Sequence, residues 1–244
     1  MKAVVMAGGH GSRLVPLKRF LNKHTLPVYD KPMIEHVILS LARGGVDEIL
    51  VLLNLRYPET VMEILEDGHR FGCDIYYRYV CSVDGPGRQL WLAKKWVAGE
   101  DFVLMLGDAL YLCDLDFRTV RSPHMWTMPL QDLDDPSKYG QVKVEGERVL
   151  ELREKPKELF SGLIQTAVWK LPPDAFDRAA RLGKEHQGEV HVGMVTEQYV
   201  AEGLMTHTPI PPRSYIDLGT QEALFQGHLL LHERALAATR QAAE

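Results

Sequence analysis

Apolar residues in the first half of this chain alternate between two spacings. Short apolar runs at Lys2–Met6, Glu48–Leu53 and Phe102–Leu106 read as strands, the first and last ending at glycines, and Asp74–Tyr79 reads as a further strand. Between the first two runs, Met33, Ile34, Val37, Ile38 and Leu41 recur at helical spacing, and Gly44-Gly45 stop the helix. Pro58 opens a helix carrying Val61, Ile64 and Leu65, a position where a missing N–H does no harm. A third helix is predicted over Gln89–Val97. Strands alternating with helices at this spacing predict a parallel, doubly wound sheet with its working loops at the carboxyl ends of the strands.

The second half is less regular. Trp126–Leu130, Gly140–Val144, Val149–Glu154 and Leu163–Trp169 read as strands, interrupted by the turn-rich Asp134-Asp135-Pro136 and Glu145-Gly146-Glu147. Pro173–Leu182 and Val195–Glu202 read as helices, and a long helix runs from Gln221 to about Ala242. No repeat, low-complexity linker or composition break divides the chain. The reading is one domain, 1–244, with a first half at 1–110, a second at 111–220 and a C-terminal helix at 221–244. That last helix carries Leu224, Leu229, Leu230, Leu231 and Leu236, more apolar residues than one buried stripe requires. It packs either on its own domain or on a second subunit, which makes a homo-oligomer one of the open outcomes.

Composition narrows the function by exclusion. With 28 Lys and Arg against 33 Asp and Glu, the chain carries a formal charge of −5, too acidic for general binding to nucleic acid or an anionic membrane. No apolar run approaches the roughly 20 residues needed to span a bilayer, and the stretch before Gly8 is too short for a signal peptide. Cys73, Cys81 and Cys113 are odd in number and lack paired spacing, so neither a disulfide framework nor a zinc site is expected. Reduced thiols in the cytoplasm are the expectation. The charge is unevenly spread, however. Lys2, Arg13, Lys18, Arg19, Lys23 and Lys31 face Asp30 alone in the first 31 residues. This cluster surrounds Ala7-Gly8-Gly9-His10-Gly11-Ser12-Arg13, a strand running into a glycine-rich turn that can bring backbone N–H groups and an Arg fork close to an anion. The spacing fits neither G-x-G-x-x-G nor a P-loop.

A longer string is more specific. Residues Ala7 to Pro16, then Lys23-His24-Thr25-Leu26-Pro27-Val28-Tyr29-Asp30-Lys31-Pro32-Met33, resemble the N-terminal signature of sugar-1-phosphate nucleotidyltransferases, above all the glucose-1-phosphate thymidylyltransferases. Leu106-Gly107-Asp108, Asp135-Pro136-Ser137-Lys138-Tyr139-Gly140, Glu154-Lys155-Pro156, Gly188-Glu189 and Asp217-Leu218-Gly219-Thr220 follow in the family's order across almost the whole chain. The resemblance implies an α/β fold, a Rossmann-like doubly wound mixed sheet flanked by helices with a sugar-binding lobe. It makes 1–110 the nucleotide-binding half and 111–220 the sugar-phosphate half. The implied reaction is NTP plus sugar 1-phosphate giving NDP-sugar and pyrophosphate, a step that depends on positioning and charge neutralisation. Gly8, Gly9 and Gly11 would shape the loop over the nucleotide. Arg13 would hold the β- and γ-phosphates and stabilise the departing pyrophosphate, with Lys23 as second cation. Asp108 and Asp217 would hold Mg²⁺, a hard ion suited to oxygen ligands. Glu154 would accept from sugar hydroxyls and Lys155 would bind the sugar phosphate, while Tyr139, Gly140 and Glu189 would complete the pocket.

The chain also departs from the family pattern. Where thymidylyltransferases carry Gly-Leu-Ala-Gln, with a Gln that reads the base, Gly85-Pro86-Gly87-Arg88 stands. Arg88 offers only donors, which match cytosine but not the N3–H of thymine or uracil; it either reads cytosine or reaches only a phosphate. The base is therefore open among dTTP, CTP and UTP. Ala109 replaces the usual Asn after the metal Asp, Gln165-Thr166 replaces Thr-Gly, and His191 stands in a run that loses later polar positions. These changes point to an acceptor other than plain glucose 1-phosphate, a modified sugar or a related cyclitol phosphate. A catalytically silent nucleotide-sugar-binding regulator is the alternative, though it would have little need for both metal carboxylates and Arg13. Only 27 residues follow Asp217, room for one helix and not for a larger regulatory tail.

Overall fold

A computed structural model describes residues 1–9, 13–14, 21–81, 85–130 and 135–241. The strands in chain order are β1 (Lys2–Ala7), β2 (Pro27–Val28), β3 (Lys31–Pro32), β4 (Glu48–Asn54), β5 (Asp74–Val80), β6 (Phe102–Leu106) and β7 (Ala109–Tyr111). They continue with β8 (His124–Pro129), β9 (Gln141–Glu145), β10 (Arg148–Arg153), β11 (Leu163–Leu171), β12 (Thr206–Pro209) and β13 (Tyr215–Asp217). The helices are α1 (Met33–Arg43), α2 (Pro58–Leu65), α3 (Pro86–Gln89), α4 (Lys94–Val97), α5 (Ala175–Glu185), α6 (Val192–Ala201) and α7 (Gln221–Gln241). None is long and apolar enough to cross a membrane among the described residues.

Nine strands form one mixed sheet in the order β5-β4-β1-β6-β11-β8-β12-β10-β9. Its first four strands are parallel, as the run-and-helix pattern predicts. The purely parallel expectation stops there: β11 runs antiparallel to β6, and antiparallel pairs dominate the second half. The reason lies in the connections. Turns as short as that between β9 and β10 cannot make the long crossover a parallel pair requires. The sheet order reverses at β1 and β6, and there a crevice opens at the carboxyl ends of the strands. Register puts Ala7 beside Leu53 and Met6 beside Leu106, so Gly8, Asn54 and Gly107 leave the sheet at one level. The Gly107 amide donates to the Met6 carbonyl at 3.1 Å, which ties the two loops together.

The predicted helix over Gln89–Val97 is corrected. It starts at Pro86, after Gly85 has turned the chain with a φ of +92° that only glycine adopts freely. It then tightens into a 3-10 turn over Leu90–Ala93 before resuming as α4. In a 3-10 turn residues i and i+3 eclipse, and Leu90 and Ala93 are both fully buried. Two further helices are displaced from their predicted bounds, α6 starting at Val192 and α5 running to Glu185. Strands β7 and β13 pair antiparallel as a separate ribbon, with Asp217 opposite Ala109. Around this ribbon a small second core forms from Val28, Met33, Leu110, Ile216 and Leu218, and α7 packs on it through Leu224 and Leu231.

Candidate active site

The carboxyl edge of β1, β4 and β6 gathers the charged residues. Lys23 opens a short 3-10 turn, and its Nζ lies 2.5 Å from Asp108 Oδ2, with both side chains largely buried. The same ammonium lies close to the glycine turn, since a Cβ on Gly9 would come within 3.4 Å of Lys23 Nζ. Asp217 ends β13 and accepts the Gly219 amide at 2.8 Å, while the Leu218 amide donates to the Asp108 carbonyl at 2.9 Å. The two carboxylates are thereby brought together from positions far apart in sequence. Arg13 joins them: a Cβ on Gly219 would meet Arg13 Nη2 at 2.7 Å and Asp217 Oδ1 at 2.8 Å. Gly11 lies outside the described residues.

The electrostatics divide the pair. Burial pushes the Asp108 carboxyl up, but the Lys23 ammonium, His24 and the hydrogen bond from Lys23 outweigh it and hold its pKa below the ordinary value. Asp217 goes the other way, raised by burial and by the Asp108 charge against the opposing pull of Arg13 and the Gly219 amide. Two buried carboxyls that cannot both ionise at ease form a cluster that a further cation would stabilise. Among the described residues no group of three or more His, Cys, Asp or Glu side chains could hold a metal. This edge offers two carboxylates, Asp108 and Asp217. That suits Mg²⁺, which is commonly held by one or two carboxylates plus substrate phosphates.

A chain of buried amides, which sequence reasoning missed, holds this edge in register. Asn54 Nδ2 donates to the Gly9 carbonyl at 3.1 Å, and Asn54 Oδ1 accepts the Arg56 amide at 2.8 Å. The Arg56 carbonyl accepts from Asn22 Nδ2 at 3.3 Å. Asn22 Oδ1 then accepts the His24 amide at 3.1 Å and faces His24 Nδ1 at 2.8 Å. Because Oδ1 already accepts a backbone N–H, Nδ1 must carry the ring proton. Burial and the neighbouring Lys23 push His24 down to about 3, against the pull of Asp108, so it stays neutral and leaves Lys23 as the cation at Asp108. The signal available in sequence was the polar Asn54 ending the apolar run EILVLL.

The sugar-side residues meet in a cleft that reaches Asp217, lined by Tyr139, Gly140, Glu154, Lys155 and His191 among others. Glu154 sits where two glycines leave room for its carboxylate. A Cβ on Gly193 would stand 2.5 Å from Glu154 Oε2, and one on Gly140 would stand 2.8 Å from it. Gln165 Nε2 donates to the same oxygen at 2.9 Å and Gln165 Oε1 accepts from Trp169 Nε1 at 3.3 Å, so this departure from the family pattern faces the cleft. Thr166 donates its hydroxyl to the Trp126 carbonyl at 2.9 Å, inside the sheet. Glu197, one turn along α6 from Gly193, is pushed up by burial and by Glu154, which sequence reasoning also missed. Lys155 takes a left-handed φ of 45°, half-exposed and 3.8 Å from Glu154 Oε1.

Two predicted residues stand apart. Glu189 is exposed, with its Cγ packed against Gly85, and does not line the cleft. Arg88 turns toward α5, where its Nη2 donates to the His186 carbonyl at 2.7 Å. The next side chain, Gln89, is buried over the glycine turn, and a Cβ on Gly8 would lie 2.7 Å from its Oε1. Two larger hollows, one between α1 and α7 and one beside Trp91, hold none of these residues.

Comparison with known proteins places the sequence and the fold in a known family. The family model described as nucleotidyl transferase matches residues 2–234. The glucose-1-phosphate thymidylyltransferase of Neisseria gonorrhoeae is 30% identical over 239 residues, covering 93% of this chain and 81% of that one. A Bacillus anthracis protein described as a glucose-1-phosphate thymidylyltransferase, solved with sucrose, superposes with a TM-score of 0.84 at 27% identity over 94% of each chain. A UDP-glucose pyrophosphorylase solved with UDP-glucose shares the fold, with a TM-score of 0.79 at 17% identity over 96% of this chain and 98% of that one.

Proposed function

This chain belongs to the nucleotidyl transferase family, and from that premise we propose that it transfers the nucleoside monophosphate of dTTP, CTP or UTP to a sugar 1-phosphate or a related cyclitol phosphate. An oxygen of the acceptor phosphate attacks the α-phosphorus, the bond from the α-phosphorus to the bridging oxygen breaks, and pyrophosphate leaves with the electron pair. The observation that carries the reading is the meeting of Lys23, Arg13, Asp108 and Asp217 at the glycine turn, at the mouth of the cleft holding Glu154 and Lys155.

In this reading Gly8 and Gly9, with Gly11, present the turn to the triphosphate. Lys23 and Arg13 neutralise it, and Arg13 stabilises the pyrophosphate as charge builds on it. Asp108 and Asp217 would hold Mg²⁺, which supplies further charge neutralisation on the phosphates when bound. Lys155 binds the acceptor phosphate, and its half-exposed ammonium is free to swing inward. Glu154 accepts from acceptor hydroxyls while Gln165 orients it, and Tyr139, Gly140 and His191 close the cleft around them. Glu189 bears on the acceptor only through the Gly85 turn. The side chain from that turn aimed at Gly8 is Gln89, whose amide has both a donor and an acceptor and so suits any pyrimidine. Arg88 reaches the nucleotide only by leaving the His186 carbonyl. A cytoplasmic location, where nucleoside triphosphates are available, fits this chemistry.

The test is a matrix of dTTP, UTP, CTP, ATP and GTP against a panel of sugar and cyclitol phosphates, followed by pyrophosphate release. Turnover with a pyrimidine triphosphate and one acceptor well above glucose 1-phosphate is the expected result. Glucose 1-phosphate as the best acceptor would overturn the modified-acceptor part, and a purine triphosphate as the best donor would overturn the base assignment.

A further inference from the structure

Strand β11 turns one face to the acceptor cleft, and two long side chains with polar ends stand on it. Gln165, Ala167 and Trp169 alternate along that face, and all three line the cleft. Ala167 carries only a methyl, so the Gln165 amide and the Trp169 indole reach each other across it: Trp169 Nε1 donates to Gln165 Oε1 at 3.3 Å. Between these two residues β11 also shifts register against β8, an irregularity of the kind that re-aims side chains beside functional sites. An indole N–H can only donate, so this bond decides which way the amide faces. Oε1 is turned to the indole and Nε2 to Glu154 Oε2, 2.9 Å away. Gly140 leaves room for the amide, since a Cβ there would stand 2.2 Å from Gln165 Nε2. Gln165 and Trp169 are only 7% and 4% exposed, which keeps the pair out of bulk water.

We propose, resting on the reading that this cleft takes the acceptor, that Gln165 and Glu154 together read one hydroxyl of the acceptor and that Trp169 is the positioning residue for the pair. Nε2 carries two N–H groups, of which Glu154 engages one. The second N–H and the Glu154 carboxylate then offer a donor and an acceptor side by side. A hydroxyl answers both, its oxygen accepting from Gln165 while its O–H donates to Glu154. Hydrogen in its place answers neither, fluorine and a methyl ether cannot donate, and an ammonium cannot accept. With the amide flipped, Oε1 would face the carboxylate as a second acceptor and the hydroxyl would lose its donor; the indole N–H prevents that flip. The acceptor is therefore a polyol phosphate with a free hydroxyl where its ring meets Glu154. What sets it apart from glucose 1-phosphate lies at other positions.

A scan of the wild-type chain with the best acceptor from the substrate matrix tests this, each ring hydroxyl replaced in turn by hydrogen, fluorine and methoxyl. One position is expected to lose roughly 10²-fold or more in kcat/KM with all three replacements, because a site built to bond a hydroxyl is left with unpaired buried groups. Gln165→Met, of similar length, should cost the intact acceptor roughly tenfold and the deoxy analogue at that position hardly anything. Loss of folded enzyme cannot produce such non-additivity. Trp169→Phe should weaken the same discrimination at least roughly threefold, and KM for the triphosphate should hold in both variants. Tolerance of all three replacements at every position, equal losses for intact and deoxy acceptors in Gln165→Met, or discrimination unmoved by Trp169→Phe overturns the proposal. No pyrophosphate from any unmodified pair would instead remove the function it rests on, and this inference with it.

Discussion

Asn22→Ala is the sharpest perturbation of the phosphate edge, because it removes no charge and touches no substrate. The side chain is 3% exposed and makes three hydrogen bonds, two accepted from His24 and one donated to the Arg56 carbonyl. Each is worth about 1 kcal/mol net, and a buried donor left unpaired costs about 1–3 kcal/mol. The His24 ring N–H and amide are both left without an acceptor, so a loss of about 3 kcal/mol in unfolding free energy is expected. The functional effect follows from position. His24 and Lys23 are neighbours in one short turn, and Asn22 links that turn to the strand edge where Asn54 holds Gly9. Loosening it should raise KM for the nucleoside triphosphate roughly tenfold, since misplacement of about 1 Å at such a site is costly. KM for the acceptor should hardly move. Asn22→Ser, which can still accept the His24 amide as a cap, should fall between. Urea denaturation and steady-state kinetics with each substrate varied supply the readout. Unfolding free energy within about 0.5 kcal/mol of wild type, with an unchanged nucleotide KM, would show that Asn22 does not hold this turn in place.

Three other outcomes are expected. Gly193→Ala puts a methyl where Glu154 Oε2 now sits, 2.5 Å away; since Ala suits a helix better than Gly by about 1 kcal/mol, stability should hold while kcat/KM for the acceptor falls roughly tenfold or more, and equal losses for both substrates would contradict this. Lys23→Met should lower kcat/KM by roughly 10²–10³, the range for losing one preorganised charge contact, and a loss under about threefold would remove Lys23 from the mechanism. Burial, His207 and Lys170 push His124 down to about 4. The unfolded chain takes up that proton near its ordinary pKa of about 6.5, so stability contributed by neutral His124 is present above that pH and is lost as pH falls toward 4. The loss has an upper bound of about 3 kcal/mol. Urea midpoints at pH 7.5 and 5 should show that slope, and His124→Gln, able to keep bonds to Thr206 and Thr208, should flatten it in part, with neutral His24 supplying a slope of the same sign.

How much of this was legible in the sequence depended on whether the determinants were local. Strand Phe102–Leu106 and helix Pro58–Leu65 match their predicted bounds because an unbroken apolar run and a proline at the first turn act on their own residues. The ribbon of β7 and β13 has three residues in each strand, too few for any periodicity, so pairing of Asp217 with Ala109 could not be read. The Glu154 cradle has the same origin: Gly140, Gln165 and Gly193 lie on three separate segments of the chain, and only packing shows that two of them must lack a side chain. The motif comparison placed Arg88 at the nucleotide, whereas the turn that starts at Pro86 swings Gln89 over Gly8 and Arg88 toward His186. A one-residue difference on a helix is a rotation of about 100°, which sequence matching does not register.

The proposed reaction is transfer between two substrates at one edge of the sheet. Its most direct measurement follows pyrophosphate and the nucleotide-linked acceptor in the same reaction, by phosphorus NMR, with the best pair from the substrate matrix. Both are expected to form in equal amounts, only when triphosphate and acceptor are present together, and Lys23→Met is expected to slow both equally. Pyrophosphate formed without acceptor would show hydrolysis instead. No pyrophosphate from any pair, with tight binding of a nucleotide-sugar retained, would show a binding protein on this fold.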